Sequence, residues 1–294
     1  MTRAIGLAGT GRSAAEIYAP SLASWPKTAF AGVWSPSPDA TRALAERHSV
    51  PAYDRFAELL DHCDAVAFAV PPAAQSPLAV IAAGRHKHVL LRPPIAGELA
   101  GAEELADVVA ATDVISQIAL TWRYSPTVRS FLSSQVERTH PQGGTGRLIS
   151  AALAGDTPAR PWRPDRGVLM DMGVDVLDLL DAALGHTASI RAHGEPWGWV
   201  GLLLEHEGGR FSEVSLYATA SADEPARAEV EVFGSGGSAV IDGAEVTGPE
   251  AYATMVEEFA DAIERHAPHP LDVRHGLHLQ RLLDAATTDL LTGR

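Results

Sequence analysis

The sequence holds one cysteine, Cys63, in 294 residues, which excludes an intramolecular disulfide framework and a cysteine-built zinc site. Aromatic residues are scarce at 6%, and basic residues are outnumbered: 23 Lys and Arg stand against 37 Asp and Glu, a formal charge of -14. With no run of Lys or Arg able to neutralise neighbouring phosphates, no nucleic-acid partner is expected. No stretch reaches the roughly 18 uninterrupted apolar residues of a membrane-spanning helix, so no membrane partner is expected either. The chain opens on Ala4-Ile5-Gly6-Leu7 without a basic and then apolar leader, and with the single thiol this points to the reducing cytoplasm. What is present is a globular composition, 46% hydrophobic and 20% charged, enough to build a large core in one large or two ordinary domains.

Up to about residue 120, short apolar runs at 3–8, 29–34, 64–69, 87–91 and 113–118 alternate with segments of helical period. That alternation predicts βαβ units on a parallel, doubly wound sheet, with helices over Ser13–Ser24, Pro38–His48, Phe56–Leu60, Pro77–Ala83 and Gly101–Ala111. Pro38 and Pro77 are expected near helix starts and Gly84 as a left-handed cap. Beyond 120 the expectation is a helix near 125–137, a polar loop over Gln142–Gly146, a strand at 147–154, a Pro/Arg-rich loop at 156–167 and a helix at 168–184. Strands at 187–195, 197–206, 210–219, 227–233 and 237–241, joined by turns such as Gly208-Gly209 and Gly236-Gly237, predict an open antiparallel or mixed sheet. Helices near 249–266 and 273–291 close the chain. The expected architecture is a Rossmann domain over 1–120, followed by an α+β domain over 121–294 for substrate binding and oligomerisation.

The motif with the most chemistry is Gly9-Thr10-Gly11-Arg12-Ser13-Ala14, a G-x-G-x-x-A string between the first strand and the first helix. Gly9 permits the tight turn, Gly11 lets a pyrophosphate approach the backbone, Ala14 keeps helix and sheet close, and the helix N-terminus offers free N–H groups to the anion. A purely structural glycine turn is the alternative. At the end of the second strand, where a carboxylate normally receives the ribose hydroxyls of NAD, the chain reads Trp34-Ser35-Pro36-Ser37. Ser35 leaves room for a 2′-phosphate, but no arginine follows at once and Arg42 falls inside the predicted helix. The cofactor expectation is therefore NAD(P), with NADP slightly favoured.

These features, with Ala67–Pro72, His88–Ala96, Trp122–Pro126, Gly146–Ser150, Trp162-Arg163, Gly167–Gly173 and Leu291–Arg294, resemble the Gfo/Idh/MocA oxidoreductase family over nearly the whole chain. The resemblance implies a Rossmann domain joined to an open-sheet α/β domain, and a homodimer or homotetramer paired through that sheet. It implies cofactor contacts at Gly9, Thr10, Gly11, Arg12, Ser13, Ser35, Val70, Pro71, Gln75 and Arg92. It also implies a small-molecule substrate met by Arg123, Tyr124, Trp162 and Arg163. Two departures bear on the chemistry. Where the family usually reads Glu-Lys-Pro, this chain reads Arg92-Pro93-Pro94, and where Asp is usually followed four places later by His, it has Asp171 and Asp175.

Both usual proton-handling groups are thus replaced. Asp171 and Asp175 lie four apart on a predicted helix, hence on one face, where mutual repulsion can raise one carboxyl until it serves as an acid. That makes them the catalytic candidates; helix capping and a solvated surface acid are the bland alternatives. For Arg123 the alternative is an ion pair with an acid across the domain boundary, for Trp162 a loop anchor, and for Gln75 a helix cap. His266, His269, His275 and His278 lack a fixed third ligand, so no metal is expected. Cys63 reads as a packing residue. The leading reading is an atypical NAD(P)-dependent oxidoreductase of a small polyhydroxylated or cyclic alcohol, ketone or imine. The rival is a non-redox relative that binds a small molecule or uses the dinucleotide only structurally.

Overall fold

The computed structural model describes residues 2–151, 167–221, 226–243, 246 and 248–293. In chain order the strands are β1 (Arg3–Ala8), β2 (Thr28–Trp34), β3 (Ala52–Tyr53), β4 (Ala65–Phe68), β5 (His88–Leu91), β6 (Ser116–Ile118), β7 (Pro141–Ile149), β8 (Thr187–Gly194), β9 (Trp199–His206), β10 (Arg210–Tyr217), β11 (Arg227–Gly234) and β12 (Gly237–Asp242). The α-helices are α1 (Ala19–Ser24), α2 (Pro38–His48), α3 (Phe56–Asp61), α4 (Pro72–Gly84), α5 (Leu99–Thr112), α6 (Pro126–Ser130), α7 (Glu137–Thr139), α8 (Gly167–Leu184), α9 (Pro249–Arg265) and α10 (Val273–Thr292). The chain divides into two compact units, Met1–Thr121 with Gly248–Gln280, and Trp122–Thr247 with Arg281–Arg294.

The first unit is the expected doubly wound sheet, in the order β3-β2-β1-β4-β5-β6 with every pairing parallel. Its central strands are apolar on both faces because helices cover both: Ile5, Leu7, Ala67, Phe68, Leu90 and Leu91 are fully buried. The two-residue strand β3 is too short to carry a period. Helix α4 begins at Pro72, so Pro77 lies inside the helix instead of at its start. Gly84 is the last helical residue and the left-handed conformation falls on His86, at φ 57°. Far along the chain, α9 returns to pack against α1, and Lys27 Nζ bonds Asp261 at 2.9 Å. Below the sheet, His88 Nδ1 accepts the Ile115 N–H at 2.9 Å, and burial pushes that imidazole down to about 4.

The second unit is built on a mixed sheet in the order β12-β11-β7-β10-β9-β8, antiparallel except for the β7–β10 pair. Helix α8 covers one face. Here one expectation fails: Gln142–Gly146 is not a loop but the first part of β7, at the middle of the sheet. The glycines read as turn residues are there because α8 and the neighbouring strands leave no room for side chains. A Cβ on Gly146 would lie 2.4 Å from Val176 Cγ1, and one on Gly144 would lie 2.8 Å from the Glu231 carbonyl oxygen. Of the strand expected at 147–154, residues 147–149 form the end of β7 and residues 152–154 lie outside the described residues, as does nearly all of the loop at 156–167. The helix expected near 125–137 is α6 and α7 with a π-helical stretch, Phe131–Val136, between them.

Gly146→Ala should therefore destabilise the protein by about 1–3 kcal/mol through overpacking, read as a lower melting temperature in thermal unfolding. A melting temperature equal to wild type would reject the close approach of α8 to β7.

Candidate active site

The end of β1 is built around Gly9. Its φ is 122°, its N–H donates to the Trp34 carbonyl at 2.8 Å, and a Cβ there would lie 2.5 Å from the Ala69 carbonyl oxygen. Only glycine fits, for reasons internal to the sheet. Gly11 differs: its φ is ordinary and a Cβ on it would meet nothing within 4 Å. No packing within the protein asks for glycine at that position, so the requirement fits a ligand approaching the backbone. Ala14 is fully buried, as the motif's third small position should be. A π-helical stretch, Ala14–Tyr18, follows the loop, and Pro20 just beyond it has no N–H to give the preceding turn. Tyr18 on that stretch is buried; desolvation pushes its phenol up to about 12, against the pull of the Arg92 cation.

The end of β2 is held by hydroxyls. Thr10 Oγ1 donates to Ser35 Oγ at 3.2 Å; Ser35 Oγ also accepts from the Ser37 N–H at 3.2 Å and lies 2.8 Å from Thr41 Oγ1. Ser35 is buried, with its hydroxyl engaged inside the protein. Arg12 is exposed and bonded to Glu16 at 2.8 Å; Arg42 is exposed and bonded to Asp39.

Beyond β4, Val70 and Pro71 lead into α4, where Pro71 takes the cap position. Gln75 is fully buried and staples the turn after β5: its Nε2 donates to the Arg92 and Ile95 carbonyls at 2.8 and 3.0 Å, and its Oε1 accepts the Arg92 N–H at 2.8 Å. It is neither a helix cap nor an open amide, but a positioning group for the turn that carries Arg92 and Pro93. That turn includes the cis Pro93-Pro94 bond.

In the second unit, Arg123 Nη1 donates to Asp178 Oδ1 at 2.9 Å. Asp178 is 1% exposed and the arginine side chain 21% exposed, so the carboxylate is buried and the arginine only partly so. The acid that pairs with Arg123 thus lies in the same unit, not across a boundary. Asp178 was missed by the sequence reading, although residues 171, 175 and 178 fall on one helix face by the same spacing that singled out the first two. Asp175 is half-buried on α8; Asp171 lies on that helix, but its side chain is outside the described residues, as are Trp162 and Arg163 altogether. Tyr124 is fully buried, with the Arg129 guanidinium 6.0 Å from its ring centre. The N-terminus of α8 is met by the β8–β9 turn, where the Pro196 carbonyl accepts the Val168 N–H at 2.9 Å.

The histidines have separate contacts. His266 faces His88 edge-on with ring centres 6.3 Å apart, His269 Nε2 lies 3.2 Å from Glu258, and the His275 and His278 rings are 6.2 Å apart. Cys63 is buried, and burial lifts its thiol to about 11, well away from a reactive thiolate.

Residues 3–120 match the model of the Gfo/Idh/MocA oxidoreductase family with an NAD-binding Rossmann fold. It is 27% identical over 202 residues to YMR315W of Saccharomyces cerevisiae, an uncharacterized protein, a match covering 64% of this chain and 57% of that one. The chain spans about half the length of the curated relatives it matches. An oxidoreductase domain protein from Kribbella flavida shares the fold with TM-score 0.89 and 19% identity, covering 100% of this chain and 98% of that one. KijD10, a 3-ketoreductase from Actinomadura kijaniata solved with TDP-benzene and NADP, does so with TM-score 0.80 and 17% identity over 98% of both chains.

Gly11→Val should leave thermal stability within about 0.5 kcal/mol of wild type, since its side chain enters open space, while weakening NADH and NADPH binding at least tenfold. Equal nucleotide affinity in wild type and variant would reduce the loop to a structural turn.

Proposed function

We propose that this chain, whose residues 3–120 match the Gfo/Idh/MocA oxidoreductase family, is an NAD(P)-dependent oxidoreductase of a small polyhydroxylated or cyclic alcohol, ketone or imine. The observation that carries the reading is the open space above Gly11 at the end of β1, beside a glycine that the sheet itself requires. Gly9, Thr10, Gly11, Arg12 and Ser13 would cradle the diphosphate. Val70 and Pro71 would line the nicotinamide side, and Gln75 would act by fixing the turn of Arg92. Bound nicotinamide supplies or accepts the hydride; the protein's part is to bind, orient and manage the proton on the substrate oxygen or nitrogen.

Pro93 has no side-chain donor, so that last task falls to the carboxyls of Asp171 and Asp175. A positioned acid or base is worth about 10²–10⁴-fold in rate. Arg123, oriented by Asp178, would meet substrate oxygens together with Tyr124, Trp162 and Arg163. We place the enzyme in the cytoplasm.

Pro93 also favours a second reading, a relative that binds a small molecule without redox turnover. Titration with NADH and NADPH, followed by a substrate screen read by nicotinamide absorbance, separates the two. Saturable binding with turnover is expected, and Asp175→Asn should lower kcat at least about tenfold. Binding without turnover on polyols, sugars and cyclic imines would favour the second reading; an unchanged rate in the variant would remove Asp175 from the mechanism.

Among the described residues, the face of the second sheet away from α8 carries exposed apolar side chains, which supports a homodimer or homotetramer. Phe211 pairs in register with Gly143, which pairs with Phe233, so two half-exposed aromatic rings flank a glycine across three strands. Leu203, Val240 and Trp199 extend this apolar face. Phe211→Glu should convert the assembly to smaller species in sedimentation velocity. An unaltered sedimentation coefficient, or a wild-type monomer, would reject pairing through this face.

A further inference from the structure

We infer that the end of the parallel sheet where β1, β4 and β5 begin binds a small oxyanion of the phosphate type, with the Arg3 guanidinium and the His88 and His266 imidazoles as its donors. This end lies opposite the Gly9 turn: about 20 Å of strand separates Arg3 from Gly9. β1 pairs with β4 and β4 with β5 so that Ile5, Ala65 and His88 stand side by side. Residues two apart along a strand share a face, which puts Arg3 on the same face as His88, at the very start of β1. Helix α9 ends there too: its cap residue, His266, meets the His88 ring edge-on with the ring centres 6.3 Å apart. All three residues belong to the first unit.

What unites these side chains is a shortage of acceptors. Arg3 Nε is buried without a hydrogen-bond partner, and among the described residues the Arg3 side chain forms neither a hydrogen bond nor an ion pair. A buried donor of a charged group is costly unless something accepts from it. His88 Nδ1 accepts the Ile115 N–H at 2.9 Å, so the neutral ring carries its proton on Nε2, for which the described residues offer no acceptor. The His266 ring makes no hydrogen bond among them either. Neighbouring groups are already engaged: Asp64 Oδ2 accepts the Ala4 N–H at 3.0 Å, Lys87 Nζ donates to the Cys63 carbonyl at 2.9 Å, and Lys27 pairs with Asp261 at 2.9 Å. Burial is the first reason the His88 imidazole is pushed down; the charge of Arg3 comes next, then His266 and Lys87, and Asp64 alone opposes them. Cations thus outnumber acids around His88, in a chain whose formal charge is -14. A guanidinium fork takes two oxygens of a tetrahedral oxyanion and each imidazole N–H takes one more, a donor set with no acceptor to offer a cation.

The test is calorimetric titration of the full chain with inorganic phosphate, with glycerol 3-phosphate and with acetate, for wild type, Arg3→Gln, Arg3→Lys, His88→Asn and Arg12→Gln. Wild type should bind at least one of the two phosphates saturably and at least tenfold more tightly than acetate. Arg3→Gln should lose at least about tenfold, and Arg3→Lys should retain part of the affinity. His88→Asn keeps an acceptor for the Ile115 N–H and should lose about threefold or more, while Arg12→Gln, on the Gly9 turn, should bind as wild type does. Tighter binding of inorganic phosphate identifies the free ion as the ligand, and tighter binding of the ester a phosphorylated metabolite. The inference is overturned if neither phosphate binds, if Arg3→Gln binds as wild type does, or if only Arg12→Gln loses affinity, which would place the anion at the Gly9 turn. Should Arg3→Gln fail to melt cooperatively, Arg3→Lys and His88→Asn decide: wild-type affinity in both rejects the site.

Discussion

The contact on which the rest of the first unit depends is the approach of the β1 terminus to β4. Ala69 donates to the Ala8 carbonyl at 2.8 Å, and its own carbonyl oxygen occupies the space a side chain on residue 9 would need. With Gly9 turned to positive φ, the chain leaves the sheet sharply. The next residues then lead directly into a helix. Two glycines two residues apart therefore differ, one required by the protein's own backbone and one with open space above it.

A second kind of order, found in each unit by itself, consists of polar groups engaged inside the protein. Gln75 uses both ends of its amide on the backbone around Arg92, and Ser35 uses its hydroxyl on Thr10, Ser37 and Thr41. Asp178 gives its buried charge to Arg123. In each case a polar side chain near the candidate chemistry fixes the position of a neighbour. Buried polar groups of this kind are costly unless satisfied, which is why their partners are so fully specified.

Much of this was legible in the residues. Apolar runs of four to six residues between helical segments marked five of the six parallel strands, and Gly9–Ala14 marked the turn between β1 and the helix that follows it. Less legible was whatever depended on partners distant in sequence. The glycines of β7 carry the same composition as a turn, and only the close approach of α8 and of the neighbouring strands β10 and β11, all distant in sequence, distinguishes them. The two residues of β3 hold no period. Gln75 could be flagged as polar in an apolar helix, but not as a clamp on a turn 17 residues later. Asp178 was within reach of helical arithmetic; its partner, 55 residues earlier, was not.

The return of α9 to α1 has a bearing on modularity. Residues 3–120 look like a transferable nucleotide-binding cassette, and they alone carry the family match. Yet the compact body that contains them also takes in Gly248–Gln280, with Lys27 anchored on Asp261 and the Val273 N–H on Ser116. Grafting the cassette by its sequence limits would strip α1 of its outer packing and leave an apolar helix flank facing water. Exchange of Trp122–Thr247 would instead leave that discontinuous body with all of its own residues.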